Sequence, residues 1–412
     1  MNWKKKFVRN WGRLGMKCKL SDICVFRKGK VDVSKLTLKT YISTENMLPN
    51  KGGVTEASSL PTVQLTQEYK KGDILVSNIR PYFKKIWQAK CDGGCSNDVL
   101  VFQGNSNIDG DFLYYILAND DFFAYSMATS KGTKMPRGDK TSIMQYEVPI
   151  FDIDTQRKIA SVLRSLDEKI ELNSTINNNL EQQAQAIFKE WFIDNPENNE
   201  WSTGTFSELI KSTLNGDWGK EAPTGNNTEK VYCIRGADIP EVKAGNKGKM
   251  PTRYILPKNF AAKQLAAGDI VVEISGGSPT QSTGRCTAIT QSLLDRYDSG
   301  MVCTNFCKAM KPKEGYSLFI YYYWQYLYGK GVFFSYENGT TGIKNLDFSG
   351  FIETETILIP PVDKIIAFDD YCKSIFNQIF ANGKQNEHLA VLRDTLLPKL
   401  MSGELDVSDM DL

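Results

Sequence analysis

The sequence predicts an α+β protein that carries one unit twice, each unit a globular block followed by a long helix, with the two helices paired as an antiparallel coiled coil. A helical run from Asp154 to Phe192 contains a heptad pattern of apolar residues, and a second run from about Pro361 to Gly403 contains another. Each seam position of the second pattern lies 209 residues after its counterpart, without a gap. A repeat of this kind predicts a molecule with pseudo-twofold symmetry.

Two asparagines interrupt each apolar seam at matching places. In an antiparallel pair, the symmetry of the repeat puts Asn173 opposite Asn386 and Asn177 opposite Asn382. A buried asparagine costs stability but fixes the register of paired helices, which matters if the helices set a distance. About 38 helical residues at ~1.5 Å each give a rod of roughly 57 Å, so we expect the helices to act as a spacer. The alternative is an ordinary helical core or a dimer seam.

The globular blocks repeat as well. Residues 71–76 correspond to residues 267–272 at an offset of 196, and residues 95–97 correspond to residues 303–305 at an offset of 208. The offset grows by 12 between these landmarks, so the second block contains an insertion, which we expect beside the polar loop 275–285. The two blocks therefore share a scaffold and differ in a polar loop.

Local patterns add coarse elements and boundaries. Runs of β-branched and aromatic residues predict strands over 73–79, 98–102 and 145–150, and an aromatic-rich segment predicts a helix over 112–125. We expect Pro398 to kink the second long helix near its end. The expected parts are a basic N-terminal extension (1–16), a first block (17–150), a first long helix (151–194), a second block (195–360), a second long helix (361–403) and an acidic tail (404–412).

The composition is that of a soluble globular protein of two or three domains. Hydrophobic residues make up 41% of the 412 residues and charged residues 24%, and no apolar run approaches the ~20 residues that a membrane span needs. The nine cysteines, without a signal peptide or the spacing of a disulfide framework, predict reduced thiols and a cytoplasmic protein. A net charge of +2 neither requires nor excludes a nucleic-acid partner.

Groups suited to catalysis are scarce. The only histidine, His388, lies on a predicted solvated edge of the second helix, and the sequence contains no Walker A, dinucleotide-binding or nucleophile-elbow motif. The adjacent acids Asp167 and Glu168 are interpreted as solvated charge on a helix surface rather than as metal ligands of a nuclease. We therefore expect a protein without catalytic residues and without a cofactor of its own.

Two pairs of cysteines have a spacing that suggests a zinc site. Cys91 and Cys95, and likewise Cys303 and Cys307, are separated by three residues. Cys307 aligns with Val99 in the interior of a predicted strand, so buried thiols are favoured over zinc ligands. No metal site is predicted.

The blocks offer residues suited to binding nucleic acid. Lysine and arginine neutralise phosphates, arginine can contact guanine at two atoms, and threonine, glutamine and asparagine suit base edges or phosphates. Basic residues of the first block bracket a Gly/Pro loop and follow a strand beside Tyr82, Phe83 and Trp87. For any single residue, a solvated loop position is the alternative interpretation. The candidate DNA-binding residues are Arg80, Lys84, Lys85, Lys131, Thr133, Lys134, Arg137, Lys140, Ser278, Thr280, Gln281, Thr283, Arg285, Thr340, Thr341, Lys344 and Asn345.

Several segments, in their order along the chain, resemble the DNA-specificity subunits of type I restriction–modification systems. The resemblance covers nearly all of the chain from Met16 onward. Cys372 and Arg393 depart from it, since they stand where the helix seam would have apolar residues. The segments are KGDILVSNIRP (71–81), GGCSNDVLVF (93–102), GTKMPRGD (132–139), QRKIA (156–160), IFKEWF (187–192) and LLPKLMSGE (396–404).

The resemblance implies two target-recognition domains, each of which reads one half of a bipartite, asymmetric site in double-stranded DNA, with the paired helices as the spacer. It also implies two methyltransferase (modification) subunits and restriction/translocase subunits as partners. S-adenosylmethionine, ATP and Mg are then expected on those partners. The alternatives are a pseudo-symmetric protein-interaction adaptor that reads no DNA, and a self-sufficient nuclease or methyltransferase, which would require activity from the purified chain alone.

Overall fold

The computed structural model describes most of the chain. The described residues are 17–278, 280–339 and 343–408. The predicted basic extension 1–16, the candidate residues Thr340 and Thr341, and positions 409–412 of the predicted tail lie outside the described residues.

Contacts divide the described chain into two compact units. Unit 1 consists of residues 17–168 together with residues 390–408, and unit 2 consists of Lys169–Leu389. The division falls within both long helices, so each unit contains a part of each helix.

Unit 1 combines small β-sheets with short helices and the beginning of the first long helix. Its strands are β1 (Lys17–Lys19), β2 (Cys24–Phe26), β3 (Lys30–Asp32), β4 (Tyr41–Ile42), β5 (Leu65–Tyr69), β6 (Ile74–Ser77), β7 (Ile86–Gln88), β8 (Gly93–Cys95), β9 (Val99–Gly104) and β10 (Glu147–Pro149). The helices that start in it are α1 (Leu20–Ile23), α2 (Gly110–Ala118), α3 (Asp120–Ala128), α4 (Lys140–Ile143) and the first long helix α5 (Ile153–Phe188).

The central sheet of unit 1 is covered on both faces. Its strand order is β2-β9-β6-β7, with antiparallel neighbours. Successive side chains of a strand point to opposite faces. In β6, Ile74 and Val76 accordingly belong to a core with Phe112, whereas Leu75 belongs to a second core with Tyr69. The fully buried β6 therefore carries the loop that follows it on a rigid support.

The aromatic-rich segment forms two helices rather than the single helix predicted over 112–125. Asn119 is extended, with φ −65° and ψ 140°, and ends α2. Its side-chain oxygen accepts a hydrogen bond from the backbone N–H of Asp121 and so caps α3. Asparagine competes with the helix backbone in this way, and the apolar pattern of the segment does not reveal it.

Unit 2 contains the remaining elements. Its strands are β11 (Ser202–Gly204), β12 (Ile210–Asn215), β13 (Glu229–Ile234), β14 (Thr252–Ile255), β15 (Ile270–Glu273), β16 (Ser275–Gly276), β17 (Cys286–Ala288), β18 (Met301–Cys303), β19 (Cys307–Pro312), β20 (Glu337–Asn338), β21 (Lys344–Leu346) and β22 (Ile357–Ile359). The helices that start in it are α6 (Ile239–Lys243), α7 (Pro257–Lys263), α8 (Gln291–Leu294), α9 (Ser317–Gly329), α10 (Phe348–Thr354) and the second long helix α11 (Val362–Ser402).

Three sets of strand pairings in unit 2 repeat those of unit 1. The central sheet has the order β12-β19-β15-β17, again antiparallel, which matches β2-β9-β6-β7 strand for strand. Strands β13 and β18 pair in parallel, as β4 and β8 do. Strands β11 and β22 form a two-stranded antiparallel sheet, as β1 and β10 do. The α+β class predicted from the sequence is confirmed, and these strand pairings occur in both units.

The insertion in unit 2 is divided between two loops. Val76 pairs with Ile86 in unit 1 and Val272 pairs with Cys286 in unit 2, so the offset rises from 196 only to 200 across the polar loop. The offset reaches 208 at β18, because the chain between β17 and β18 contains α8. The expectation that the whole insertion lies beside residues 275–285 is therefore wrong, since most of it surrounds α8.

The long helices lie antiparallel to each other within unit 2. Nδ2 of Asn173 donates to Oδ1 of Asn386 at 2.9 Å, and Nδ2 of Asn382 donates to Oδ1 of Asn177 at 2.8 Å. All four asparagines are buried. Each buried amide thus finds a polar partner on the other helix.

The two exceptions to the apolar seam are accommodated in different ways. Cys372 is fully buried in the core of unit 2. In unit 1, Nη1 of Arg393 lies 2.7 Å from the carboxylate of Asp167, which also accepts a hydrogen bond from the hydroxyl of Tyr115 at 2.8 Å. Asp167 is therefore a half-buried ion-pair partner and not the solvated charge expected from the sequence. Helix α11 continues beyond Pro398, where the sequence predicts a kink.

In unit 2 the middle of α11 lies against a loop of the globular block. A Cβ added to Gly383 would collide with the backbone oxygen of Gly245, so the two backbones touch. Nη1 of Arg296 donates to the same oxygen at 2.8 Å, and Nη2 lies 3.1 Å from the carboxylate of Glu387 on α11. Arg296 belongs to the inserted segment around α8, so the insertion helps to hold the block on the helix.

Candidate nucleic-acid interface

In each unit, the loop that follows one strand of the central sheet is hydrogen-bonded to the loop that precedes a short helix. This strand, called the central strand below, is β6 in unit 1 and β15 in unit 2. The N–H of Gly138 donates to the backbone oxygen of Asn78 at 3.1 Å in unit 1, and the N–H of Leu346 donates to that of Ile274 at 2.8 Å in unit 2. The same scaffold contact is thus made twice. As far as they are described, the loops form loop pair 1 (residues 78–85 and 130–139) and loop pair 2 (residues 274–285 and 337–346).

The loop pairs bring together candidate residues that lie far apart in the sequence. Loop pair 1 contains Arg80, Lys84, Lys85, Lys131, Thr133, Lys134 and Arg137, and Lys140 begins the helix beside it. Loop pair 2 contains Ser278, Thr280, Gln281, Thr283, Arg285, Lys344 and Asn345. Each unit therefore presents one cluster of candidate residues rather than two.

Loop pair 1 is held in a backbone conformation that is uncommon for L-residues. Positive φ angles between 50° and 61° occur at Arg80 and Lys84 of loop pair 1 and at Asn50 and Lys51, which are hydrogen-bonded to it. No other non-glycine residue has a positive φ in the part of the chain that the structure describes. The N–H of Asn50 donates to the backbone oxygen of Phe83, and that of Lys51 to the oxygen of Lys84, each at 2.8 Å. Such conformations cost energy and persist where surrounding contacts enforce them, which is typical of functional sites.

Most cations of loop pair 1 have partners within unit 1. Nζ of Lys85 donates to the backbone oxygen of Thr44 at 2.6 Å, and burial lowers the pKa of Lys85. The hydrogen bond from Lys131 and the backbone N–H of Ser142 lower the pKa of Asp139 to about 2. Internal pairing reduces the charge that these lysines offer to a ligand. The ion pairs are Lys84 with Asp120 (2.7 Å), Lys131 with Asp139 (2.6 Å) and Arg137 with Asp98 (3.2 Å).

Other side chains of loop pair 1 face solvent. Thr133 and Lys134 are exposed, and Tyr82, Phe83 and Met135 are exposed large hydrophobic side chains. Aromatic side chains among cations suit contact with bases and backbone of nucleic acid. Met135 is not among the predicted residues, because methionine in a sequence ordinarily indicates a core position.

Glu337 organises loop pair 2. Its carboxylate accepts hydrogen bonds from the backbone N–H and the hydroxyl of Thr283, at 2.6 Å and 2.9 Å, and from Nζ of Lys344 at 2.7 Å. Burial acts to raise the pKa of Glu337, but the hydrogen bonds from Lys344 and Thr283 outweigh it and the pKa is lowered. Glu337 is not among the residues predicted from the sequence, since an acid near a DNA-binding loop has no recognisable pattern.

Two predicted residues of loop pair 2 face inward. Thr283 has no exposed surface. Arg285 forms a bidentate ion pair with Glu273, with Nε 2.8 Å from Oε2 and Nη2 2.6 Å from Oε1. Both side chains support the loop in this structure, and a direct part for them in DNA binding remains a prediction.

The tip of loop pair 2 keeps polar groups at the surface. The N–H groups of Thr280 and Gln281 donate to Oγ of Ser278, at 3.3 Å and 3.0 Å. Oγ of Ser275 donates to Oδ1 of Asn345 at 2.7 Å. Thr280, Gln281 and Asn345 are exposed, so their amides and hydroxyl can reach a ligand.

Loop pair 2 also has exposed apolar side chains beside it. Phe306, Phe334 and Ile343 expose 60%, 44% and 61% of their surface. The backbone oxygen of Phe306 accepts a hydrogen bond from the N–H of Ile274 at 2.9 Å, and Nζ of Lys344 lies 4.9 Å from the centre of the Phe334 ring. Apolar side chains of this kind suit thymine methyl groups or unstacked base steps. These three residues are not among those predicted from the sequence, because an exposed phenylalanine or isoleucine has the same sequence pattern as a buried one.

The two loop pairs share a scaffold but differ in chemistry. Arg80 and Gly276 both follow the central strand at the offset of 196, and each is hydrogen-bonded to the opposite loop of its pair. Asp98 and Phe306 both precede the next strand of the central sheet at the offset of 208. Arg80 of unit 1 thus corresponds to a glycine in unit 2, and Asp98 of unit 1 corresponds to a phenylalanine in unit 2.

Metal-binding and membrane-spanning features are absent from the described parts of the chain. Over residues 17–278, 280–339 and 343–408, no group of three or more His, Cys, Asp or Glu side chains could hold a metal ion, and no helix is long and apolar enough to cross a bilayer. His388 is exposed, as predicted. The buried-thiol interpretation is confirmed for Cys95, Cys303 and Cys307, but Cys91 is exposed.

A family model matches the first part of the chain. Residues 15–182 match the Type I restriction modification DNA specificity domain. The matched range contains the elements of unit 1 up to and including most of α5.

Curated relatives and a solved structure extend the similarity over the whole chain. The chain is 25% identical to the type I restriction enzyme HindI specificity subunit of Haemophilus influenzae, with 94% of this chain and 98% of the relative covered. It is 28% identical to the type I restriction enzyme MjaIX specificity subunit of Methanocaldococcus jannaschii, with 76% and 74% covered. The S subunit of a type I restriction–modification system from M. genitalium has a similar fold, with a TM-score of 0.55, 16% identity and coverage of 96% and 97%.

Proposed function

We propose that this chain is a DNA-specificity subunit of a type I restriction–modification system, which reads a bipartite, asymmetric site in double-stranded DNA and directs methyltransferase and nuclease subunits to that site. Its own role is sequence recognition, and it is not a catalytic subunit. The protein-interaction adaptor is not favoured, since the relatives are specificity subunits.

The repetition of one loop pair in both units is the observation that carries the proposal. Each loop pair combines hydrogen-bonding or cationic side chains with exposed apolar ones on a buried central strand. Phosphate contacts position a protein on DNA, and side chains that reach base edges supply the specificity. In our proposal each loop pair reads one half of the site, and the two halves differ because the side chains at equivalent positions differ.

We assign the role of spacer to the two long helices. The hydrogen bonds between Asn173 and Asn386 and between Asn382 and Asn177 support this role, because a shift of one helix would leave buried amides without partners. A rod of roughly 57 Å compares with one and a half turns of DNA at ~34 Å per turn. A stiff link between two weak readers raises affinity only when both half-sites lie at the right separation. Target-recognition domains over 17–150 and 195–360 complete this arrangement.

The proposed partners supply the chemistry. Two methyltransferase subunits would bind S-adenosylmethionine, and restriction/translocase subunits would use ATP and Mg. No cofactor is assigned to this chain. The proposed location is the cytoplasm, where the DNA substrate lies.

Methylome sequencing tests the proposal. The chain is co-expressed with its methyltransferase partner in a host that lacks other adenine methylation, and the same host with the methyltransferase alone is the control. We expect one methylated bipartite motif that depends on this chain and has two different halves. A methylation pattern without sequence preference would support the adaptor instead, and two identical halves would contradict the proposed difference between the units.

A heptad insertion tests the spacer role. Seven residues are added after Glu168 in α5 and seven after Leu389 in α11, so that the apolar repeat keeps its phase. The added length is ~10.5 Å, which predicts half-sites about three base pairs further apart. An unchanged spacing in the methylated motif would rule out the helices as the spacer. Insertion in α5 alone is the matched control, and we expect it to abolish methylation because only one helix is lengthened.

A further inference from the structure

Arg80 differs from the paired cations of loop pair 1. Lys84, Lys131 and Arg137 form ion pairs within unit 1, and Lys85 donates to a backbone oxygen. The guanidinium of Arg80 forms no hydrogen bond or ion pair with any residue that the structure describes, and its Nε is buried without a partner. A buried donor without a partner is costly, so Arg80 occupies this position at the expense of stability, which is typical of a residue kept for its function.

The backbone holds Arg80 in place. Its φ of 50° lies in the left-handed region, and its N–H donates to the backbone oxygen of Pro136 at 2.8 Å. The next residue, Pro81, is buried and begins a 3₁₀ turn that ends at Phe83. Arg80 itself is only partly exposed. Its side chain therefore leaves the loop from a fixed point, in contrast to the exposed lysines.

We propose that Arg80 is the residue that determines the first half-site, and that it reads a guanine in the major groove of DNA. With Nε buried, the two terminal nitrogens of the guanidinium are the donors left to a ligand, and they can donate together to O6 and N7 of guanine. This inference rests on the proposed DNA-reading function and names the base that unit 1 recognises.

A phosphate contact suits Arg80 less well than it suits its neighbours. Neutralisation of DNA phosphates requires positive charge near the DNA and tolerates mobile side chains. The exposed side chains of Lys134, in the second loop of the pair, and Lys140, directly after it, meet that requirement. An unpaired and partly buried guanidinium on a backbone held in the left-handed region is instead suited to a contact that must be placed accurately. The ion pairs of Lys84 and Arg137 help to build the loop that places it.

The equivalent position of unit 2 strengthens the assignment. Gly276 stands there with φ +147°, and it has no side chain to contact a base. The contact proposed for Arg80 therefore has no equivalent at this position of unit 2. This difference also provides a variant with a precedent in the same fold, because Arg80→Gly copies the residue of unit 2 and relieves the left-handed strain.

The test compares three variants of the full chain in complex with its methyltransferase partner. Arg80→Gly removes the guanidinium, Arg80→Lys keeps the charge without two fixed parallel donors, and Lys134→Ala removes an exposed cation from the same loop pair. The methylated motif is determined by sequencing. Binding is measured on duplexes that carry the wild-type motif or a single replacement of each G·C pair, at several salt concentrations.

We expect Arg80→Gly to lose preference for guanine at one position of one half-site by about 10-fold to 100-fold, with the other half-site unchanged. Arg80→Lys should lose most of the same preference, and Lys134→Ala should weaken binding equally to all duplexes. Equal weakening of all duplexes by Arg80→Gly would overturn guanine readout in favour of a phosphate contact. An unchanged motif, or a wild-type half-site without a G·C pair, would overturn it as well. Absence of any motif with the wild-type chain would instead refute the proposed function on which the inference rests. Unfolding curves of Arg80→Gly, expected to match or exceed the wild type in stability, exclude misfolding as the cause.

Discussion

The guanidinium of Arg393 lies 2.7 Å from the carboxylate of Asp167, and the two residues belong to different long helices. Burial acts to lower the pKa of Arg393, but the carboxylates of Asp167 and Asp394 outweigh it and the pKa is raised. Each side chain of the Arg393–Asp167 pair is about one-fifth exposed, at 21% and 20%. Arg393, which stands where the seam would have an apolar residue, thus forms an ion pair between the two helices.

Removal of one partner from this pair is expected to destabilise the protein. Arg393→Ala leaves Asp167 half-buried with only Tyr115 as a donor, so we expect a loss of about 1–3 kcal/mol in the free energy of unfolding. Urea unfolding measures the difference. The double variant Arg393→Leu with Asp167→Leu is the control, because an apolar pair avoids an unpaired charge and is expected to be close to neutral. If Arg393→Ala were as stable as the wild type, the ion pair would contribute nothing to the free energy of unfolding.

The sequence could predict the contacts that the repeat itself dictates. Asn173 faces Asn386 because equivalent residues of two ungapped helical repeats must meet at the centre of an antiparallel pair. The partnership of Arg393 with Asp167 could not be predicted in this way, because Asp167 lies beside the charged residues Glu168 and Lys169 in sequence, which offer no sign of its burial. A pattern identifies the face of a helix, whereas an individual partner depends on packing.

The loop pairs illustrate the same limit at the candidate site. Cationic and polar residues of the loops can be named from their type, but no sequence pattern indicates that Asn78 and Gly138 bring two loops together. Glu337 and Phe306 could not be predicted, because the hydrogen bonds of Glu337 and the exposure of Phe306 depend on where the fold places them. The break at Asn119 was missed since its capping hydrogen bond competes with a strong helical pattern.

Gly383 provides a second prediction about stability. Alanine ordinarily stabilises a helix by ~1 kcal/mol relative to glycine. A Cβ at position 383 would collide with the backbone of Gly245, so Gly383→Ala is expected to destabilise the protein by about 1–3 kcal/mol instead. Gly329→Ala is the matched control, because Gly329 ends helix α9 and a Cβ there would meet nothing within 4 Å. Thermal unfolding of both variants checks the prediction, and equal stabilisation by the two would contradict the close backbone contact.

Asp139 provides a prediction about pH. Its pKa is lowered to about 2 from an ordinary 3.8 by the hydrogen bond from Lys131 and the backbone N–H of Ser142. The stabilising contribution of a group with a lowered pKa is present above its ordinary pKa and is lost as pH falls through the lowered value. Lys131→Ala should therefore raise the pKa of Asp139 towards 3.8 without reaching it, because the Ser142 N–H still donates.

Carbon-13 NMR of labelled aspartate carboxyl groups measures this shift. Asp139→Asn removes the signal and so assigns it. An Asp139 pKa that stays at about 2 in Lys131→Ala would mean that the lysine at 2.6 Å is not what lowers it.

Thr283 separates support of a loop from contact with DNA. Its hydroxyl is fully buried and donates to Glu337, so Thr283→Val is expected to lose about 1 kcal/mol of stability while the salt dependence of DNA binding stays unchanged. Thr283→Ser keeps the hydroxyl and is the control. Unfolding curves and binding isotherms at several salt concentrations give the two measurements. A smaller salt slope with normal stability would indicate a direct phosphate contact by Thr283.

The backbone contact between Gly245 and Gly383 bears on how such chains can exchange parts. A recombinant that received a foreign second block on the resident helix would need a glycine at both contact positions and a counterpart of Arg296 opposite Glu387. Gly245 and Arg296 lie in the second block, whereas Gly383 and Glu387 lie far along the sequence in α11. A recombination crossover between the two positions would therefore bring together surfaces that do not fit. Inheritance of the second block and the middle of its helix as one piece would preserve the fit.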